Sequence, residues 1–140
     1  MEDVTFARAV HVLAVIHWIG GLCFVTTVVL PMRDKALFAE IERRFSSQVR
    51  ISVPLAGLSG LYMTWKLDVW DRFLQPGTWW MAAMALLWLL FMVILFVVEP
   101  LAGRAPLGSL DSLRRAHRVL LVAAIVVAGA AVLGVHGLLQ

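Results

Sequence analysis

Apolar residues are gathered into four long blocks along the chain, separated by short polar segments. The blocks cover residues of about 4–30, 49–67, 78–98 and 117–139. A transmembrane helix needs about 20 predominantly apolar residues, because it rises 1.5 Å per residue through a hydrocarbon layer about 30 Å thick. None of the blocks shows the period-two alternation of a strand. The pattern therefore predicts an all-α fold, an integral membrane four-helix bundle with short connections.

The polar segments between the blocks predict the connections. RDKALFAEIERRFSSQ, residues 33–48, is typical of a short amphipathic surface helix, and Pro54 is expected to kink the second span. We expect DVWDRFLQPG and LAGRAPLGSLDSL to be loops, and Glu99-Pro100 to end the third span. No linker divides the chain, so residues 1–140 are expected to form a single transmembrane domain. The first apolar block is too long for the core of a signal peptide, so none is expected.

The composition supports a membrane protein over a soluble one. Hydrophobic residues make up 61% of the 140 residues and charged residues only 15%, with a mean hydropathy of +0.88. Soluble domains carry about 25% charged residues. The net charge of +3 is therefore interpreted as membrane topology, and no nucleic-acid partner is expected. The single cysteine, Cys23, lies inside a span and excludes an internal disulfide.

The cations predict the orientation of the spans. Nine of the twelve Lys and Arg residues lie in segments 31–50 and 100–118, and only Arg8, Lys66 and Arg72 lie on the opposite side. Cytoplasmic loops carry the excess of Lys and Arg, so both termini are predicted to lie on the outer, periplasmic face. Tryptophans cluster at the outer ends of the second and third spans, as in an interfacial aromatic belt: Trp65, Trp70, Trp79 and Trp80.

Two histidines at the same predicted depth are the main candidates for chemistry. His11 lies near the outer end of the first span and His136 near the outer end of the fourth. A haem with two histidine ligands needs one imidazole on each face of the iron, at a common level. Ionisable residues inside a membrane are costly and usually functional. His11 and His136 are therefore predicted to ligate haem iron between the first and fourth helices.

Other residues extend this predicted haem site. Trp18 and Gly21 fall close to the helix face of His11, and Arg8, one turn outward, is placed to neutralise a haem propionate. Small residues in both helices would leave room for the macrocycle, although in membrane helices they also serve close packing. The small residues of the fourth span are Ala123, Ala124, Ala128, Gly129, Ala130, Ala131 and Gly134.

The two remaining histidines have other expected roles. His17 lies about 9 Å deeper than His11 and, six residues on, points to a different face. It has three candidate roles: a hydrogen bond across the bundle, the wall of a quinone or substrate pocket, or a ligand of a second cofactor. His117, within RRAHR at the cytoplasmic interface, is interpreted as an ordinary interfacial residue.

Methionines offer a second metal chemistry at the outer level, and an ion pair is expected at the inner one. Met63, Met81 and Met84 lie near the level of His11 and His136, and thioethers with imidazoles suit Cu(I). One of these methionines is also a candidate axial ligand of haem. Arg50 and Glu99 are predicted to form an ion pair with an architectural role.

The first helix carries a resemblance to known families. AVHVLAVIHWIGGLCFVTTVVLP resembles the first helix of the CopD copper-resistance membrane family, in which a His is followed seven residues later by Trp and then by Gly-Gly. It is also similar to HemJ-type protoporphyrinogen oxidases, four-helix haem proteins with the same spacing, at positions His11, Trp18 and Gly21. RISVPLAGLSGLYMTWKL resembles the second helix of the family. The resemblance implies a haem b ligand at His11, whereas Met84 stands where HemJ-type proteins carry a functionally important lysine.

These observations predict a small b-type cytochrome of the bacterial inner membrane. It would hold one haem b, with a second as an alternative, and transfer electrons with quinone or a periplasmic redox protein. Its enzyme class would be a haem-dependent oxidoreductase, and a homodimer or a larger membrane complex is a further expectation. The alternatives are a copper transport or handling protein, an accessory subunit of a respiratory complex, and a HemJ-like oxidase.

Overall fold

The structure, a computed structural model, describes residues 1–32, 34–102 and 110–139. Within these ranges the regular elements are helices and no strand occurs, so the predicted all-α class is confirmed. The four long helices are α1 (Glu2–Phe24), α2 (Lys35–Leu67), α3 (Trp79–Val93) and α4 (Leu110–Val135).

Within the described residues, three helical stretches are long and apolar enough to cross a membrane. They are Glu2–Met32, Pro76–Leu101 and Asp111–Val135. These stretches correspond to the first, third and fourth predicted spans and are those of a multi-pass membrane protein. Helix α2 is not among them; its apolar part is bounded by Arg50 and Lys66 and contains polar residues such as Ser52.

Helices α1 and α3 both continue beyond their last α-helical turn. A π-helix at Val25–Val29 follows α1, and another at Ile94–Val98 follows α3. The hydroxyls of Thr26 and Thr27 donate to the carbonyls of Leu22 and Cys23, each at 2.7 Å, so the widened turn keeps these carbonyls bonded.

The sequence predicted that Glu99-Pro100 ends the third span, and this prediction is wrong. An α-helical turn runs from Glu99 to Ala102. Pro100 cannot donate to a carbonyl of the preceding turn, and here it directly follows the π-helical turn Ile94–Val98, whose bonding pattern is already widened.

Helix α2 differs most from the prediction. The expected surface helix and the second span form one continuous helix of 33 residues that runs through Pro54. Its start is capped by Asp34, whose carboxylate accepts from the N–H groups of Ala36 and Leu37, both at 3.0 Å. It ends at Asp68, which has a left-handed backbone with φ 52°.

The two connecting segments beyond α2 contain helical turns. DVWDRFLQPG includes 3₁₀ turns at Trp70–Leu74 and Pro76–Thr78. The middle of LAGRAPLGSLDSL, residues 103–109, lies outside the described residues. Its last four residues already belong to α4, which therefore begins two turns before the predicted span and ends at Val135. His136 consequently lies in a turn beyond the helix.

The central core draws residues from all four long helices or their continuations. Ala14 and Trp18 of α1 pack with Val53 of α2, Phe91 of α3 and Leu121 of α4. Helix α1 packs on α2 and α4, and α3 packs on the same two helices. Toward the end of α4, a smaller cluster is formed by Trp80 with Ala130 and Ala131. A third cluster, at the opposite end, contains Val25, Val29, Leu30 and Phe38.

Large aromatic side chains pack directly against the backbone at three helical glycines. A Cβ at Gly21 would lie 2.0 Å from the Phe45 ring, and a Cβ at Gly57 would lie 2.1 Å from Trp88. The same holds for Gly134 and Trp80, at 2.1 Å. These glycines are therefore sites of close helix packing, which is how small residues commonly act in membrane helices.

Candidate functional site

His11 is half-buried where α1 meets α2. It lies on the buried stripe of α1, between Ala7 and Ala14. Its Nδ1 lies 2.7 Å from the carbonyl oxygen of Ala56 and 3.3 Å from the hydroxyl of Ser59. A carbonyl oxygen only accepts, so Nδ1 carries the proton, and in the neutral ring Nε2 keeps a free lone pair.

His136 has the same ring arrangement in a different setting. It is exposed in the turn after α4, and its Nδ1–H donates to the carbonyl of Val132 at 2.8 Å. In the neutral ring, Nε2 is therefore again the nitrogen that keeps a free lone pair. Ligating histidines usually donate their other ring N–H to a carbonyl or carboxylate, which fixes the tautomer and makes the ligand nitrogen more basic.

The two imidazoles have separate hydrogen-bond partners. His11 is held by α2, whereas His136 is held by its own helix. In the described part of the chain, no hydrogen bond or ring contact joins them. Their predicted pairing across one haem stays a prediction.

The residues expected around His11 have individual roles in the fold. Trp18 is 5% exposed and meets Phe91 edge-on with ring centroids 4.6 Å apart, and its indole N–H has no partner among the described residues. The space beside Gly21 is filled by the Phe45 ring. Arg8 is exposed. Gly60, which the sequence analysis did not single out, lets His11 approach α2, because a Cβ there would lie 3.3 Å from His11 Cε1.

The other two histidines differ sharply from each other. His17 is exposed and lines a groove between α1 and α2 together with Gln48 and Ser52. His117 is half-buried, donates from Nδ1 to the carbonyl of Leu113 at 3.0 Å and meets the Phe38 ring edge-on. These contacts pack His117 against its own helix and Phe38, and its interpretation as an ordinary interfacial residue stays a prediction.

The methionines of the copper alternative lie on two helices. Met81 and Met84 of α3 pack against the cluster of Trp80, Ala130 and Ala131, and Met63 of α2 is half-buried. Among residues 1–32, 34–102 and 110–139, no group of three or more His, Cys, Asp or Glu is arranged to hold a metal ion.

The predicted Arg50–Glu99 ion pair is present and belongs to a larger polar cluster. Arg50 Nη2 lies 3.2 Å from Glu99 Oε2, and the hydroxyl of Ser46 donates to the same oxygen at 2.6 Å. One turn earlier on α2 lies Glu42. Burial, and secondly the Glu99 carboxylate, raise the pKa of Glu42 to about 7. The sequence analysis missed Ser46 and Glu42, although they lie four and eight residues before Arg50 and so share its helix face.

A second polar cluster at the other end of the α1–α2 pair was also missed. The Asp3 carboxylate accepts from the hydroxyl of Tyr62 at 2.9 Å and lies 3.2 Å from Lys66 Nζ. Antiparallel helices bring the start of α1 beside the end of α2, so opposite charges at these two ends were the available signal. The cluster ties the two helices together at the end of the pair that is opposite to Glu99.

Comparison of the chain with models of protein families, with characterised proteins and with solved structures gave no significant match.

Proposed function

We propose that the chain is a small b-type cytochrome of the bacterial plasma membrane, related to the CopD and HemJ-type proteins. In this proposal all four long helices cross the bilayer, both termini lie on the periplasmic face, and His11 and His136 ligate one haem b. The observation that supports it is the tautomer of these two rings. Each donates Nδ1–H to a backbone carbonyl and leaves Nε2 free, as histidine ligands of metals do.

The side chains around His11 would prepare it for ligation. The Ala56 carbonyl holds the ring at one angle and makes Nε2 more basic. Gly60 allows the ring to lie close to α2, and Ser59 supplies a second polar contact. Arg8, one turn outward on α1, would balance the charge of a propionate.

A bound haem would supply one-electron redox chemistry, and the protein would control ligation, burial and access. The electron partners in this proposal are a membrane quinone and a periplasmic redox protein. A second cofactor, in this chain near His17 or in a partner subunit, would be required to carry electrons across the bilayer.

The optical spectrum of the purified protein tests the proposal. We expect sharp b-type bands in the reduced-minus-oxidised spectrum, and loss of the low-spin bands in both His11→Ala and His136→Ala. His117→Ala is the matched control, because this ring also donates Nδ1–H to its own helix but lies at the opposite end of α4. Its spectrum should be unchanged.

Metal analysis of the same sample separates the alternatives. Stoichiometric copper without haem would replace the cytochrome by a copper-handling protein that uses Met63, Met81 and Met84. A sample that contains neither haem nor copper would favour an accessory subunit. An unaltered spectrum in either histidine variant would exclude that residue as an axial ligand.

A further inference from the structure

A groove on the outside of the α1–α2 pair has no role in the ligation of haem. It has a volume of about 530 Å³, within the range of small-molecule sites, and His17, Gln48 and Ser52 form its polar part. Its apolar walls include Leu13, Ile51 and Leu55, which are 67%, 65% and 43% exposed. This face of the helix pair would be open to the hydrocarbon of the bilayer.

One wall of the groove holds a polar group without a partner. Ser52 is 5% exposed, and its hydroxyl makes no hydrogen bond within the described residues. Serine in a helix can bond the carbonyl four residues back, as Ser59 does to Leu55 at 2.6 Å. An unpaired buried hydroxyl is unfavourable, so this is a position at which a ligand oxygen would be stabilising.

The chemistry of the groove favours a neutral head group. Among the described residues that line it, none is Asp, Glu, Lys or Arg. Arg50, two residues from both Gln48 and Ser52, is engaged by Glu99. A phosphate head group would call for a cation, whereas the amide, hydroxyl and imidazole donors of this groove suit carbonyl oxygens.

A second groove, here called the furrow, lies beside the first and shares Val10 with it. The furrow has a volume of about 360 Å³ and is mainly apolar, lined by Phe6, Ala7, Val10 and Leu58, with Asp3, Ser59 and Tyr62 as its polar residues. Hydrogen-bond donors at one end and an apolar path beyond them match a ring with carbonyl groups and a long hydrocarbon tail.

We propose that this groove binds an isoprenoid quinone from the bilayer, with its carbonyl oxygens at His17, Gln48 and Ser52 and its tail along the furrow past Val10. The proposal deepens the proposed function, which requires an electron partner, but it makes its own claim about binding. His17 lies six residues beyond His11 on α1 and points to a different face, whereas the furrow passes Ala7, one turn from His11, and Ser59, which lies 3.3 Å from His11 Nδ1.

Calorimetric titration with decylubiquinone tests the site, using protein in lipid nanodiscs and empty nanodiscs for subtraction. We expect saturable binding of one molecule per chain, weakened about tenfold in His17→Phe, which loses one hydrogen bond of about 1.4 kcal/mol. Ser52→Ala should weaken binding similarly while leaving the unfolding temperature unchanged or higher, because it removes an unpaired hydroxyl. A purely packing role for Ser52 would not lower the affinity.

Ser47→Ala is the matched control. Ser47 lies next to Gln48 on α2, is exposed, and its hydroxyl is satisfied by the Arg44 carbonyl at 2.7 Å. It should bind decylubiquinone as the unaltered protein does. The proposal would be overturned if His17→Phe and Ser52→Ala bound decylubiquinone as tightly as Ser47→Ala does. It would also be overturned if the unaltered protein showed no saturable binding.

Two further measurements identify what else could explain a negative result. In a Cys23→Ser background, a disulfide between two copies of Leu13→Cys would show that a second copy of the chain covers the groove, and would overturn quinone binding there. The haem spectrum, recorded on the same samples, reports on the cytochrome separately. Quinone binding by a protein that holds no haem would support the quinone site and contradict the cytochrome. A haem spectrum without quinone binding would support the cytochrome and contradict the quinone site.

Discussion

At the scale of single residues, neighbouring atoms determine where two protons are held. The Ala56 carbonyl lies 2.7 Å from Nδ1 of His11, so the tautomer of the neutral ring with its proton on Nδ1 is favoured. Glu42 has a different environment, since burial and the nearby Glu99 carboxylate both disfavour its ionised form and raise its pKa. The first contact selects a tautomer, whereas the second environment selects a charge state.

The raised pKa of Glu42 predicts a pH-dependent stability. The folded protein binds this proton more tightly than the unfolded chain does, because the pKa rises from 4.5 to about 7 on folding. The free energy of unfolding should therefore decrease as the pH rises through this window and level off above it. Glu42→Gln should remove this component and be more stable than the unaltered protein at pH 8, in thermal unfolding followed by tryptophan fluorescence.

Glu40→Gln is the control for this prediction. Glu40 lies on the same helix but is paired with Arg43 and Arg44, which lower its pKa. Neutralising it should not raise stability at pH 8. A pH profile that is the same in Glu42→Gln and in the unaltered protein would contradict the assignment.

At the scale of helices, α2 is the element that organises the molecule. It supplies the Ala56 carbonyl to His11, the Val53 carbonyl to the Trp88 indole at 3.0 Å, and Ser46 to Glu99. Its first half is polar and its second half apolar, yet hydrogen bonding continues through both. A helix that is only partly apolar is well suited to carry functional groups, because its polar side chains can be satisfied against its neighbours.

The contact of α2 with α3 depends on Gly57. A Cβ at this position would lie 2.1 Å from the Trp88 ring, so Gly57→Ala should displace the indole and break its bond to Val53. We expect a loss of about 2–4 kcal/mol, combining overpacking with an unpaired buried donor. Unfolding in mixed micelles by added SDS would measure it.

Gly20→Ala is the matched control for this substitution. Gly20 is also helical, but a Cβ there meets no atom within 4 Å. Its replacement should be neutral or stabilising by up to about 1 kcal/mol, because alanine loses less backbone entropy in a helix. Equal effects at the two positions would show that Trp88 does not restrict Gly57.

At the scale of the whole molecule, the polar groups lie at two opposite ends of an apolar body. Asp3, Tyr62 and Lys66 mark one end. At the other end, the Arg114 guanidinium donates to the Leu30 carbonyl at 2.7 and 3.0 Å, where α1 and its continuation finish. The apolar body between these ends would lie in the bilayer, and the cation-rich end would face the cytoplasm.

This orientation can be measured by cysteine labelling in a Cys23→Ser background. Leu74→Cys lies in the segment between α2 and α3, at a position 91% exposed, and should react with a membrane-impermeant maleimide in intact spheroplasts. Ala39→Cys, exposed on the cation-rich part of α2, should react only after lysis. The reverse pattern would invert the proposed topology, and equal labelling of both before lysis would contradict a four-crossing arrangement.

Particular residues show how far the sequence could be interpreted. The apolar blocks located the long helices, and the pairing of Arg50 with Glu99 followed from their positions at adjacent helix ends. The ends of the helices were less predictable, since Glu99-Pro100 was expected to end the third span and helical residues continue to Ala102. Helix α2 continues past Pro54, and the kink expected there stays a prediction. Proline removes one hydrogen bond, and local sequence does not show whether packing on neighbouring helices compensates for it.

The sequence by itself determined the helical class and the apolar character of the chain, because both arise from composition and local hydrogen bonding along one segment. Only the tertiary structure decided that His11 is held by Ala56, that the spaces beside Gly21 and Gly134 are filled by Phe45 and Trp80, and that His17 faces a groove. These facts depend on which side chains from distant segments come together. A single helical period cannot specify that, because a side chain's partner is set by the packing of one helix against another.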